Sequence, residues 1–418
     1  MKRFSILFAL LLLMPLVGKA QVQQDTDTTL YSDAQVTELL RNMPNVEVGK
    51  GVSFSSKDNR YKLTMRLRMQ SMVGLTFNNA MGVQQTEACI KRLHLRFDGH
   101  VFTPKVAYSI QLGYSPSDAK ELPNGNLNLV RDAMLYYIPS SSWSIGIGQT
   151  KLQGSRANIN SSSALQFVDR SIVNSTFSID RDFGIFAEFH NKIGKSFNYA
   201  IKGSITTGDG RNFVVSKNSG LAYTARVELY PLGKFTSRGE VSEGSYVREK
   251  SPKLAIGGAY SYNDRACRVN GQRSSLIIDD NRRSMQSWFA DLIFKYEGFS
   301  FYTDVMGRLC NAPTILDANG AVAQHIYTGM GINVQAGYIF DKNWEIALRH
   351  STLLPDAGTA QYEGYGSNNQ ATLAITKYFI GHNLKIHADF SYNYATGAAA
   401  DYMNNERWMA HLSVDVGI

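Results

Sequence analysis

The chain has little cysteine: Cys89, Cys267 and Cys310 are three among 418 residues, too few and odd in number for a disulfide framework. They read as isolated thiols. Beyond residue 20 no run approaches 18 uninterrupted apolar residues, so helical membrane spans are excluded. Proline is held to 10 residues while tyrosine (22) and phenylalanine (21) are plentiful, the balance of an all-β exported protein.

Catalytic constellations are missing too. His190, His350, His387 and His411 are scattered without metal-ligand spacing, and no Gly-x-Ser-x-Gly elbow or Walker loop occurs. Thr-Gly-Asp-Gly-Arg at 207–211 lacks the carboxylate series of a calcium loop and reads as a hairpin tip. No enzyme activity, metal or cofactor is expected. The net charge of +8 falls to +5 when Lys2, Arg3 and Lys19 are set aside with the leader, too mild an excess for a nucleic-acid partner.

What is present begins with an address. Lys2 and Arg3 precede an apolar run over 4–17, and Gly18-Lys19-Ala20 puts small residues at both cleavage positions, the pattern of a secretory signal peptide at 1–20. No cysteine follows the cut, so no lipid anchor is expected. Residues 21–58 are expected to form a periplasmic segment with one short helix. Ser32 and Asp33 can cap it, Val36, Leu39, Leu40 and Met43 share a face, and Pro44 stops it.

From Arg60 the sequence turns to period two. Tyr61, Leu63, Met65, Leu67 and Met69 form one face, and Lys62, Thr64, Arg66, Arg68 and Gln70 the other. Many such ribbons reach about 10 residues, enough to cross a bilayer when tilted, where a soluble sandwich uses about 5 or 6. About sixteen are counted, which makes 59–418 an all-β, transmembrane antiparallel barrel with an aqueous lumen. Short turns alternate with long polar loops as such a barrel requires. The exception is 231–250, long and charged where a tight turn belongs, and read as a periplasmic excursion.

The third external loop, 150–180, is far longer than a hairpin needs, and loops of that length are usually functional or disordered. It is expected to fold into the lumen and narrow it. Basic residues on polar faces must point inward, because an arginine at mid-membrane costs roughly 2–4 kcal/mol. Arg66, Arg68, Arg92, His94 and Arg96 on the early strands, with Lys151, Arg156, Arg170 and Arg181 at the loop, are the expected anion pathway. On the later strands Lys202, Arg226, Lys253, Lys295, Arg308, Arg349 and Lys385 share faces with Glu188, Glu228, Asp291, Asp304, Glu345 and Asp389, the mixed lining of any water-filled lumen. The competing reading has Asp169, Asp180 and Asp182 neutralise the loop arginines.

Five landmarks in order resemble the phosphate-selective porin O and P family of Gram-negative outer membranes. They are Ile90-Lys91-Arg92-Leu93-His94-Leu95-Arg96-Phe97-Asp98-Gly99, then Arg131-Asp132-Ala133, Gly148-Gln149-Thr150-Lys151, Asp169-Arg170-Ser171 and Arg181-Asp182-Phe183-Gly184. His94 stands where the family commonly has arginine, and Leu152 where a proline usually follows. The resemblance implies a sixteen-stranded homotrimer in the outer membrane that passes small anions by diffusion. Its partners would be membrane lipid, the outer-membrane assembly machinery and the permeating solute. The alternative function is a barrel serving as a surface adhesin or assembly partner.

Overall fold

Strands form where alternation expects them. The computed structural model describes residues 45–47, 50–116, 118, 128–213, 215, 220–279, 281, 283–362, 366–396 and 408–418; the expected signal peptide and the expected helix before Pro44 lie outside the described residues. Sixteen of the described strands make one cylinder. They are β1 Lys62–Phe77, β2 Val83–Val101, β3 Thr103–Gly113, β4 Val130–Ser140, β5 Trp143–Lys151, β6 Arg181–Ile193, β7 Phe197–Thr206 and β8 Ala222–Tyr230. There follow β9 Lys253–Asn263, β10 Met285–Tyr296, β11 Phe299–Cys310, β12 Gly329–Ile339, β13 Trp344–Pro355, β14 Ser367–Ile380, β15 Leu384–Thr396 and β16 Trp408–Gly417. Each pairs antiparallel with the next. β16 returns to β1 from Trp408↔Phe77 to Gly417↔Arg68, closing the sheet. Closure satisfies the backbone within the wall, as hydrocarbon demands.

A short hairpin, Asn45–Glu47 and Gly51–Ser55, lies beside the start of β1 through Val52↔Met65. Gly51 has φ +88°, and a Cβ there would sit 2.2 Å from the Met65 carbonyl oxygen.

The two faces separate cleanly. On β1, Gln70 is fully buried in the lumen while Leu67, Met69 and Val73 are exposed on the outside. β8 alternates buried and exposed at every residue. Aromatic side chains gather toward both rims: Trp143 lies 4.8 Å from Phe189 at the short-turn end, and Trp408 lies 4.3 Å from Tyr392 at the other. These are the positions where amphipathic rings prefer the interface.

Within the β1–β2 pair parity slips after Gln70, to useful effect. Gln70 pairs with Arg92 but Ser71 pairs with Ile90, so Lys91 is the extra residue of a β-bulge. Lys91 thereby reaches Asp169 inside the barrel, and Arg92 stands 3.6 Å from the same carboxylate. Unbroken alternation would have pushed the Lys91 ammonium toward lipid.

At the short-turn end Phe102, Glu297-Gly298 and residues 381–383 close hairpins tightly. The 231–252 connection corrects the expectation of a periplasmic excursion. Phe235, Glu243 and Glu249 are buried, and the segment runs back into the lumen. It does so because the wall offers Phe235 an apolar seat and Glu243 a donor from Gln335.

Candidate functional site

Residues 152–180 leave β5 and enter the barrel. Leu152, Phe167, Val168, Val173, Phe177 and Ile179 are only 0–1 % exposed. Each such burial is worth about 1.5–3 kcal/mol over leaving the side chain in water. Two short helices shape the run, α1 Arg156–Ile159 and α2 Ile172–Phe177. The Ser155 hydroxyl accepts from the Asn158 N–H at 3.2 Å, and the Ser171 hydroxyl from the Asn174 N–H at 3.1 Å, capping both. Phe289, Ile293, Tyr302 and Met306 face inward from β10 and β11 and join Val173, Phe177 and Ile179 in one apolar cluster.

Polar anchors fix the insert to the far wall. The Arg156 Nε donates to Asp291 at 2.8 Å, and its guanidinium stands 3.2 Å from Glu228. Arg226 lies 2.8 Å from Asp291 in the same cluster. Gly257 makes room for it, since a Cβ there would fall 2.2 Å from Arg226 Nη2. The Lys385 Nζ donates to the Leu165 carbonyl at 2.8 Å, and Asp389 accepts the Val168 N–H at 2.9 Å. Of the later-strand charges expected to line open water, Arg226, Asp291, Lys295, Glu345, Arg349, Lys385 and Asp389 instead grip the inserts, while Glu188 stays on the open side. Unpaired, such buried charges would be costly; those that hold the inserts have partners there.

The 231–252 insert meets the first from below. The Lys295 Nζ donates to the carbonyls of Gly239 (2.8 Å), Ser242 (2.8 Å) and Gly244 (2.5 Å). Glu249 accepts both the N–H and the hydroxyl of Thr236 at 2.8 Å. The Glu243 N–H donates to the Ala164 carbonyl at 3.0 Å.

What stays open is a cavity of about 1750 Å³ between the β1–β6 wall and the 152–180 insert. Arg211, Arg268 and Arg273 from external loops line one end, and Arg238, His382 and Ile418 the other, so the passage crosses the barrel off-axis. Among the described residues it is lined by eleven arginines and Lys151 against Asp118, Asp132, Asp180 and Glu188.

Eight of the nine expected pathway residues line this passage: Arg66, Arg68, Arg92, His94, Arg96, Lys151, Arg170 and Arg181. Arg156 does not; it is buried in the anchor just described. Arg68 lies 2.6 Å from Asp415, Arg66 pairs with Asp98, and Arg181 Nε lies 3.1 Å from Asp132. His94 is hydrogen-bonded to Asp118 at 2.8 Å. Two cations are held differently. Arg170 donates to the carbonyls of Ala157 (2.7 Å) and Asn160 (3.0 Å), and Lys151 to those of Asn158, Ile159 and Asn160 at 2.5–3.2 Å. Neither forms a carboxylate ion pair among the described residues, so both keep positive field in the narrowed passage. Of the three expected neutralisers, Asp182 instead accepts the Gly208 and Gly210 N–H groups at 2.6 and 3.2 Å.

The family model for phosphate-selective porin O and P matches residues 63–411. The chain belongs to the phosphate-selective porin O and P family. No curated protein sequence matches this porin. Its fold resembles the outer membrane channel DcaP of Acinetobacter baumannii, at 14% identity and TM-score 0.53 over 88% of this chain and 100% of that one. It also resembles an anion-selective porin from Comamonas acidovorans, at 6% identity and TM-score 0.51 over 85% and 99% of the two chains. A trimer form of OmpT from Vibrio cholerae gives 9%, 0.50, 86% and 99%. At these identities the likeness is one of fold. The porin is a channel of the Gram-negative outer membrane, and its family and fold are those of channels rather than enzymes.

Sequence reasoning missed several residues lining the porin's passage. Arg211, Arg238, Arg268 and Arg273 sit in loops, where alternation says nothing about direction. Arg131, taken as a landmark only, pairs with Asp118 on the passage wall. The arginine content of the 207–219 and 264–282 loops was the available signal.

Proposed function

We propose that this porin passes small hydrophilic anions, phosphate-like anions among them, by diffusion along the off-axis passage. The excess of twelve cations over four carboxylates among its described lining residues carries the reading. Rings of arginine and lysine favour anions, and guanidinium forks suit phosphate and carboxylate. Wall cations (Arg92, Arg96) and insert cations (Lys151, Arg170) line the same passage, so both its wall and its insert side offer an anion positive charge. The family's name and the anion-selective Comamonas acidovorans relative agree in direction. We extend to this chain the trimeric assembly seen for OmpT, with three copies surrounded by membrane lipid after insertion by the assembly machinery.

The test is the zero-current potential of single channels in planar bilayers across a potassium chloride gradient, repeated with potassium phosphate. An anion-preferring sign in both salts is expected. A zero or cation-preferring potential would overturn the reading.

A further inference from the structure

The tip of the 231–252 insert is strained and pointed. Ser237 (φ 51°, ψ 34°) and Arg238 (φ 58°, ψ 41°) are consecutive non-glycine residues in the left-handed region. Side chains crowd the carbonyl there, so single visits are uncommon and pairs more so; such conformations persist only where their surroundings impose them.

The surroundings do impose it. Immediately before the pair, Phe235 is buried in the apolar cluster and Thr236 is held twice by Glu249 at 2.8 Å. Immediately after it, the Gly239 carbonyl is held by Lys295 at 2.8 Å. The clamps leave Ser237 and Arg238 projecting, and both line the passage at its short-turn end, with Val241 beside them. Arg238 is exposed and forms no ion pair among the described residues, unlike Arg66, Arg68 and Arg181.

We propose that Arg238 is a selectivity-determining residue of the periplasmic mouth, presented to permeating anions by a backbone tip that Glu249 and Lys295 hold in place. This deepens the anion reading above: a solute leaving the narrow zone between Arg92 and Arg170 meets one more unneutralised guanidinium. The tip is contributed by the 231–252 connection, whose Glu243 also ties it to the 152–180 insert.

The experiment compares wild type, Arg238→Glu and Arg238→Ala in planar bilayers under the same chloride gradient, each first shown to fold by its compact unheated gel migration. Arg238→Glu is expected to lower the anion-to-cation permeability ratio at least about twofold, with Arg238→Ala between, as removal of a near, water-screened charge implies. Lys295→Met, which frees the Gly239 carbonyl, should reproduce part of the Arg238→Ala shift. An unchanged ratio in Arg238→Glu would overturn the inference. The wild-type sign tests the anion reading, whereas the shift from wild type tests Arg238, so the two fail separately.

Discussion

Gln166 and Glu243 meet inside the barrel although they enter from opposite mouths: the Gln166 N–H donates to Glu243 Oε2 at 3.0 Å. The Gln166 side chain goes on to Glu345 at 2.7 Å, and Gln335 donates to Glu243 at 3.3 Å, so both inserts are tied to β12 and β13 at one point. The pair divides the lumen into a packed half and an open half.

Glu243→Ala should therefore loosen both inserts together. Hydrogen bonds to a buried charged group are worth about 1.5–3 kcal/mol each, so the urea midpoint in lipid vesicles should fall by an amount of that order. Single-channel traces should become noisier and the mean conductance larger. Quiet currents of wild-type size would show that the junction does not set the passage.

Arg92→Ala and Arg170→Ala should each shift the reversal potential away from anions, by about a twofold change in permeability ratio. Arg170 is the sharper case, being held by carbonyls alone among its hydrogen-bond partners. If neither substitution moves the potential, those side chains lie outside the permeation path.

Arg156→Ala should behave differently. It strips the buried Asp291 and Glu228 of one partner each, leaving Arg226 on both and Lys202 on Glu228, and breaking such a pair costs about 3–5 kcal/mol. A lower unfolding midpoint with nearly unchanged reversal potential is expected. A large selectivity change without loss of stability would return Arg156 to the pathway.

The period-two pattern carried the wall and its sixteen strands, because alternation is a local property that lipid and water both enforce, and the length of 150–180 carried the inward third loop. It did not carry what the lumen holds. On β10 the inward face reads Met285, Ser287, Phe289, Asp291, Ile293 and Lys295, neither wet nor apolar, and only the inserts packed against it explain the mixture. Lys91 was invisible for a related reason: its bulge depends on Asp169, a partner 78 residues away. Pathway residues on strands could be read from parity, whereas Arg238 depended on how a connection folds.

His382, in the 381–383 turn, bonds Ser242 of the periplasmic insert at 3.0 Å. Burial, then the nearby charges of Lys385, Lys295 and Arg68, hold its imidazole well below the usual histidine range. The unfolded chain thus takes up this proton more readily than the folded one. The stability it contributes is full above about pH 6.5 and is lost as pH falls below that value. Unfolding midpoints should drop between pH 7 and pH 5, and His382→Gln should reduce the drop. Identical pH profiles for the two proteins would contradict this.

The location of the passage can be probed directly with single cysteines. With Cys89, Cys267 and Cys310 replaced by serine, Ser144→Cys lies on the open side and Ser351→Cys on the packed side. An anionic thiol reagent added to the open channel is expected to reduce current through Ser144→Cys and leave Ser351→Cys unaffected. Equal block at both positions, or block at Ser351→Cys alone, would contradict a one-sided basic passage.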